Sequence, residues 1–277
     1  MRQIEKTTLI SLLIFTLCLL GAGNPVDQEQ EQEQKPKDKI EKPKIYREDY
    51  PVISESDLYC SFFLLGDETI EAKIVSAEKK DEMNLLTDSD IFLIDRGKDA
   101  GFEVDQVHVI LEIGDAVLHP LSNKKLGQVG FQRGRARIIE VGEDWGKAQV
   151  EKSCGQIMVG DFLIPFEDRE TLLERPPKEE MPEGGRSVGN IVYLEGEYKI
   201  ISRDQLALID LGIDDGLRVG DRLTVLRGIS EEAPPKQLGK LIVINTQSNT
   251  STVKVLSSQD IIKLGDFVKV KSEKEGK

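Results

Sequence analysis

The chain has 277 residues, room for about two domains, and it carries 50 acidic against 37 basic side chains, for a net charge of −13. So acidic a surface excludes the basic face that nucleic-acid phosphates require and disfavours direct adhesion to anionic lipid. The acidity itself reads as solubility rather than as a specific property.

The first residues, MRQIEKTTLISLLIFTLCLLGAGNP, place Arg2 and Lys6 ahead of an apolar run from Leu9 to Leu20, which ends in the small residues Gly21, Ala22 and Gly23. This is the layout of a secretory signal peptide over 1–23, with a cut expected near Gly23–Asn24 and a mature protein in a periplasmic or other extracytoplasmic, oxidising space. Cys18 reads as part of the apolar run, because Leu17 before it is bulky where a lipid-anchor signal wants a small residue. A membrane is met only through this N-terminal segment, if it is retained. From residue 24 to 50 the chain is a charged tether, including DQEQEQEQKPKDKIEKPK, with too few apolar side chains to offset the entropy of ordering.

Beyond Tyr50 short runs of Val, Ile, Leu and Phe alternate with Gly, Asp and Asn, as in AKIVSA, DIFLID, VHVILEI, ARIIEV and DFLIPF. Their spacing predicts an all-β chain of strands and turns. The set then repeats. FLIDRGKDAGFEV (Phe92–Val104) matches ALIDLGIDDGLRV (Ala207–Val219) without a gap. KKLGQ (Lys124–Gln128) aligns with KQLGK (Lys236–Lys240), and VGDFLIPFE (Val159–Glu167) with LGDFVKVKS (Leu264–Ser272). Two units follow, 54–166 and 188–272, the first including a lead-in strand LYCSFFLL. A charged, Pro- and Gly-rich linker (Glu167–Ser187) joins them, with one helical turn or two in DRETLLER, and 273–277 form a tail. About six strands per unit predict two tandem small SH3-like or OB-like β-barrels, because closure removes exposed edges. The linker predicts independent barrels with few contacts between them, the second able to fold alone.

Gly101 and Gly216, then Gly160–Asp161 and Gly265–Asp266, sit where the repeated strands must turn; Asp95 and Asp210 follow their strands and can accept backbone N–H groups. Cys60 in the lead-in and Cys154 in the first unit's closing hairpin are expected to pair in an oxidising space, closing a loop worth about 3–4 kcal/mol. Arg133, Arg135 and Arg137 alternate along one strand and so share a face, a candidate contact for an acidic partner. The nearest approaches to a calcium loop, Asp88 with Asp90 and Asp214 with Asp215, are too short for one. His108 and His119 lack Cys/His metal spacing, and neither a Ser–His–Asp order nor a phosphate loop is present. No metal, cofactor or catalytic residue is expected.

The phrase set IDxGxxxGxxV, LG and GDF resembles β-barrel modules of bacterial envelope proteins: those following lysin-motif domains, and the C-terminal barrel of flagellar assembly protein T. The resemblance covers both units and implies a non-enzymatic binding or scaffolding role in the cell envelope, with an envelope protein or peptidoglycan as partner. A flagellar or secretion accessory is the first alternative. A hydrolase of envelope polymers is the second, and it would require titratable groups gathered in a cleft between the barrels.

Overall fold

The short apolar runs become strands because their side chains alternate between a core and an outer face, and in each repeat six of them close into a ring. The computed structural model describes residues 53–66, 70–78, 85–168, 184–228 and 234–270; the leader, the tether, all of DRETLLER after Asp168 and the tail lie outside these. The lead-in forms a helical turn, α1 (Glu55–Tyr59), then β1 (Phe62–Leu64). Cys60 is therefore the helix C-cap rather than a strand residue. Ser54 and Asp57 form a reciprocal capping box that stabilises this turn against the extended conformation the apolar run predicts.

The first repeat supplies β2 (Ala72–Ala77), β3 (Leu85–Leu86), β4 (Ile91–Ile94), β5 (Val107–Leu118), β6 (Lys125–Val141), β7 (Gly146–Ser153), β8 (Ile157–Met158) and β9 (Phe162–Pro165). Six of these close in the antiparallel order β2–β4–β7–β6–β5–β9, and β3 pairs with β8 outside the ring. The second repeat supplies β10 (Val188–Leu194), β11 (Ile200–Ile201), β12 (Leu206–Ile209), β13 (Arg222–Arg227), β14 (Lys236–Thr246), β15 (Ser251–Ser258), β16 (Ile262–Lys263) and β17 (Phe267–Val270). Its ring runs β10–β12–β15–β14–β13–β17, strand for strand the order of the first, with β11 paired to β16. The chain is two tandem six-stranded barrels.

Each ring holds its own core: Ile74, Phe92, Ile94, Ile110, Ile138 and Leu163 in the first, and Ile191, Ile209, Leu223, Leu241, Val253 and Val268 in the second. Gly101 and Gly216 both take φ near +80° (85° and 79°), the left-handed conformation that ends the short 3-10 turn after β4 and β12 and that only glycine adopts without strain.

The structural register corrects one sequence alignment. Gly134 and Gly239 are the equivalent residues. A Cβ on either would lie within 2.5 Å of a carbonyl oxygen on the neighbouring strand, Lys152 and Ser257 respectively, and next to the side chain of Ile157 or Ile262. Both sit beside a register shift where the strand bulges. KQLGK therefore matches FQRGR rather than KKLGQ. The error arises because β5 and β6 run past the end of the first barrel as a long hairpin, which places an LG (Leu126–Gly127) outside the ring while the true counterpart of Leu238–Gly239 is Arg133–Gly134.

That hairpin, with β1 paired to its edge, also overturns the expectation of independent barrels. A third apolar cluster spans both repeats. Ile53, Leu58, Phe62, Leu64, Val117 and Val129 from the first side pack with Val192, Leu206, Leu208, Ile242 and Ile244 from the outside of the second barrel. The Phe62 ring stands edge-on to Tyr193 and Phe131, with centroids 5.3 and 6.0 Å away. Thr252 Oγ1 donates to the Phe62 carbonyl at 2.6 Å, and Lys254 Nζ reaches Asp57 Oδ2 at 2.8 Å. Burial would raise the Asp57 carboxyl, but hydrogen bonds from Lys254 and Ser54 outweigh it and hold that carboxyl below its ordinary value. The described residues accordingly form one compact unit.

Candidate functional site

Cys60 and Cys154 form a disulfide, with Cα atoms 5.2 Å apart. Cys154 follows β7, so the bond fastens the α1–β1 lead-in to the first barrel and holds the segment that packs against the second.

Arg133, Arg135 and Arg137 project from the outer face of β6, as their alternation predicts, but each already has acidic neighbours. Arg133 pairs with Glu112 and lies over the Phe131 ring, 4.8 Å from its centroid. Arg135 is 3.6 Å from Glu55 and 3.5 Å from Glu151, and Arg137 bonds to Glu151 and to the Asp105 carbonyl. An acidic partner would have to displace these carboxylates, so this face is largely self-neutralised.

The turn carboxylates have similarly local duties. Asp161 accepts the Met158 amide and Asp266 the Lys263 amide, each at 2.8 Å, while Gly160 and Gly265 take φ of 111° and 81° before them. Asp95 accepts the Lys73 amide and Asp210 the Asn190 amide, joining β4 to β2 and β12 to β10 across strands rather than closing a turn. Asp88 accepts the Ser153 amide, and Asp90 bonds to Thr87. Asp215 accepts the Gly212 amide and an Arg186 bond. Among the described residues, no group of three or more His, Cys, Asp or Glu is placed to hold a metal ion.

Two histidine sites remain, neither of them visible as a motif. At the junction, His119 from the β5–β6 hairpin tip places Nε2 3.2 Å from Asp210 Oδ2, while its Nδ1 accepts the Leu121 and Ser122 amides at 3.2 and 3.3 Å. Nδ1 must therefore carry the lone pair and Nε2 the proton that Asp210 accepts. Arg186 also binds Asp210, and it bridges to Asp215. The His119–Asp210 bond joins the hairpin tip to the second barrel, and the other polar atoms of the cluster are bonded within the tip or within the second repeat.

The other site is at the open end of the first barrel. His108 is buried, stacks on Phe102 with centroids 4.8 Å apart, and places Nε2 2.9 Å from Glu71 Oε2. Its Nδ1 is buried and has no hydrogen-bond partner among the described residues. Burial lowers the imidazole's affinity for a proton more than Glu71 raises it. Glu71, Phe102, Gln106, His108, Pro165 and Phe166 border a cleft of about 230 Å³ here.

This depressed His108 has a sign that can be measured. Its unfolded form takes a proton near pH 6.5 and its folded form only at lower pH, so its neutral burial contributes fully above about 6.5 and is lost as pH falls below that value. His108→Leu should flatten that loss. In urea melts at a series of pH values, the stability gap between variant and native protein should widen in the variant's favour from pH 7.5 to 5.5. A gap independent of pH would mean that His108 is not held neutral by burial.

No family model matches the chain, and no curated protein matches it.

Proposed function

We propose that this chain is an exported, non-enzymatic binding or scaffolding protein of the cell envelope, in which two barrels act as a single double-barrelled body. The observation that carries the compartment is the Cys60–Cys154 disulfide, a bond that persists in oxidising spaces and here fastens the lead-in segment. The apolar leader and the charged tether support the same assignment. The scaffold reading draws on the shared core between the barrels, which presents two repeats at fixed spacing, with an envelope protein or peptidoglycan as the partner expected from the resemblance.

The fixed junction, with the buried Asp210 beside His119, is also the feature an envelope-polymer hydrolase would need. Against that reading, both His119 nitrogens are hydrogen-bonded and Asp210 accepts from Asn190 and Arg186. Neither group offers an atom to take a substrate proton.

Expression of the full chain in a bacterial host, followed by fractionation, mass spectrometry and sedimentation with isolated peptidoglycan, tests the proposal. The expected protein begins near Asn24, leaves with the periplasmic fraction without free thiols, and either co-sediments or is captured with an envelope protein. An intact Met1 on cytosolic protein with Cys60 and Cys154 both labelled as free thiols would sink the export reading. Turnover of an envelope polymer that a His119→Ala variant loses would replace the scaffold reading with the enzyme.

A further inference from the structure

The two rings carry one outer face with different chemistry. In the first ring Val109 of β5 stands directly across from Ile164 on β9 and from Arg135 on β6. The lead-in covers all three: Phe63 packs with Val109 and Ile164, and Arg135 lies over the Tyr59 ring. Strand register makes Thr224, Lys269 and Lys240 their counterparts in the second ring, with Arg222 in place of Val107. Arg222 and Thr224 alternate with the core residues Leu223 and Val225, so they and their cross-strand neighbours point outward. The seat that receives an apolar segment in one ring is basic in the other.

Four adjacent strands build this basic face, β10, β17, β13 and β14, and none of them contains an Asp or Glu, although the chain has 50. Arg186, Arg227, Lys236 and Lys254 of the same repeat are each paired with an aspartate. Arg222 and Lys240 are exposed, and among the described residues neither has a carboxylate in ion-pair range. Lys269, half-buried, adds its charge from the other side of Thr224.

Spacing limits what such a face can hold. Arg222 and Lys240 are diagonal neighbours on paired strands, a separation of about 7–8 Å. Carboxylates two residues apart on an extended chain lie about 7 Å apart, nearly the same distance. Thr224, beside both cations, offers a hydroxyl that can donate to a further oxygen. A membrane or nucleic acid would extend past the face by more than the screening length of about 8 Å, and would meet a chain whose net charge is −13. A short acidic segment meets the basic face alone.

We propose that the outer face of the second barrel around Arg222, Thr224, Lys240 and Lys269 is a docking surface for an extended segment of a partner protein with carboxylates at alternate residues. The proposal specifies the partner in the scaffold reading and rests on it. The acidic-partner contact that alternation places on β6 thus moves to the other repeat, because Arg133, Arg135 and Arg137 are matched by their own carboxylates.

The probe is acetyl-Glu-Gln-Glu-Gln-Glu-amide, compared with its all-Gln counterpart, and the readout is backbone amide NMR shifts of the purified full chain at low salt. The chain's own acidic run, Asp27–Glu33, is then present as an internal competitor. The expected result is saturable binding in the millimolar range by the acidic peptide alone, with shifts centred on Thr224, Lys240 and Lys269. Arg222→Gln with Lys240→Gln changes two exposed side chains and leaves the core intact, and it should weaken binding by about tenfold. Lys98→Gln, which removes an exposed cation from the first repeat, should leave the affinity unchanged. No saturation, shifts spread over both repeats, equal weakening by Lys98→Gln, or an unaffected double variant would each overturn the site. Binding to phosphatidylglycerol vesicles that the double variant loses, with no binding of the peptide, would give the face to a membrane instead. The titration does not read export: a negative result here leaves the scaffold reading to the fractionation experiment, and failed export leaves the titration as it stands.

Discussion

Replacing Phe62 with alanine is expected to destabilise the whole double barrel by about 3–5 kcal/mol, the range for removing a buried phenylalanine. Phe62 is almost fully buried, yet it belongs to neither ring's core. Its side chain fills the space between Tyr193 of the second repeat and Phe131 of the first. The variant keeps its backbone carbonyl and hence the bond from Thr252, so the loss reports side-chain packing alone. Because the cluster is shared, thermal unfolding of the native protein should be one transition reported together by probes in both repeats. Two separate transitions, with Phe62→Ala moving neither, would restore the picture of independent barrels. For the same reason the second barrel alone should be a poorer unit than its full set of strands predicts, because it would expose Val192, Leu206, Leu208, Ile242 and Ile244 to water.

Breaking the Cys60–Cys154 bond has the second large effect. Cys154→Ser with Cys60→Ser should lower stability by about 3–4 kcal/mol, since the bond spans a sequence separation of 94 and restricts the unfolded chain. The effect should appear as a lower denaturant midpoint. It should also appear as faster amide exchange in α1 and β1, whose remaining ties include the pairing of β1 with β6, the ion pairs of Glu55 with Arg135 and Lys152, and the contacts to the second barrel. Unchanged midpoints with and without a reductant would show that the two sulfurs do not constrain the chain.

Much of the junction was in fact written in the strands, though in a form that periodicity searches pass over. In the first repeat the outward residues of β6 are Arg135 and Arg137, and alternation is clean. At the equivalent places in β14 stand Lys240 and Ile242, and LIVI (Leu241–Ile244) is apolar without a break. Likewise β4 alternates in burial, whereas every residue of β12, LALI, is buried. A continuous apolar run in one copy of a repeat, where the other copy alternates, marks an outer face that something covers. The His108 cleft was less legible, because Glu71 and His108 are 37 residues apart and meet only when β9, paired with both β2 and β5, brings those strands to one end of the ring.

Local pattern alone determined the strands, the repeated turn glycines and aspartates, and the division into two rings of one topology. These depend on side-chain alternation and on which residues tolerate a left-handed turn, both properties of neighbours in the chain. Tertiary structure decided what lies outside the rings. The long β5–β6 hairpin, the α1–β1 lead-in and the apolar outer face of the second barrel become an interface because each leaves hydrophobic area that only a distant segment can remove from water. The same long-range packing engages Arg133, Arg135 and Arg137 with carboxylates, joins His119 to Asp210, and leaves the Glu71 charge beside a neutral imidazole. Sequence spacing carries none of these pairings, since each partner is chosen by how the closed rings pack.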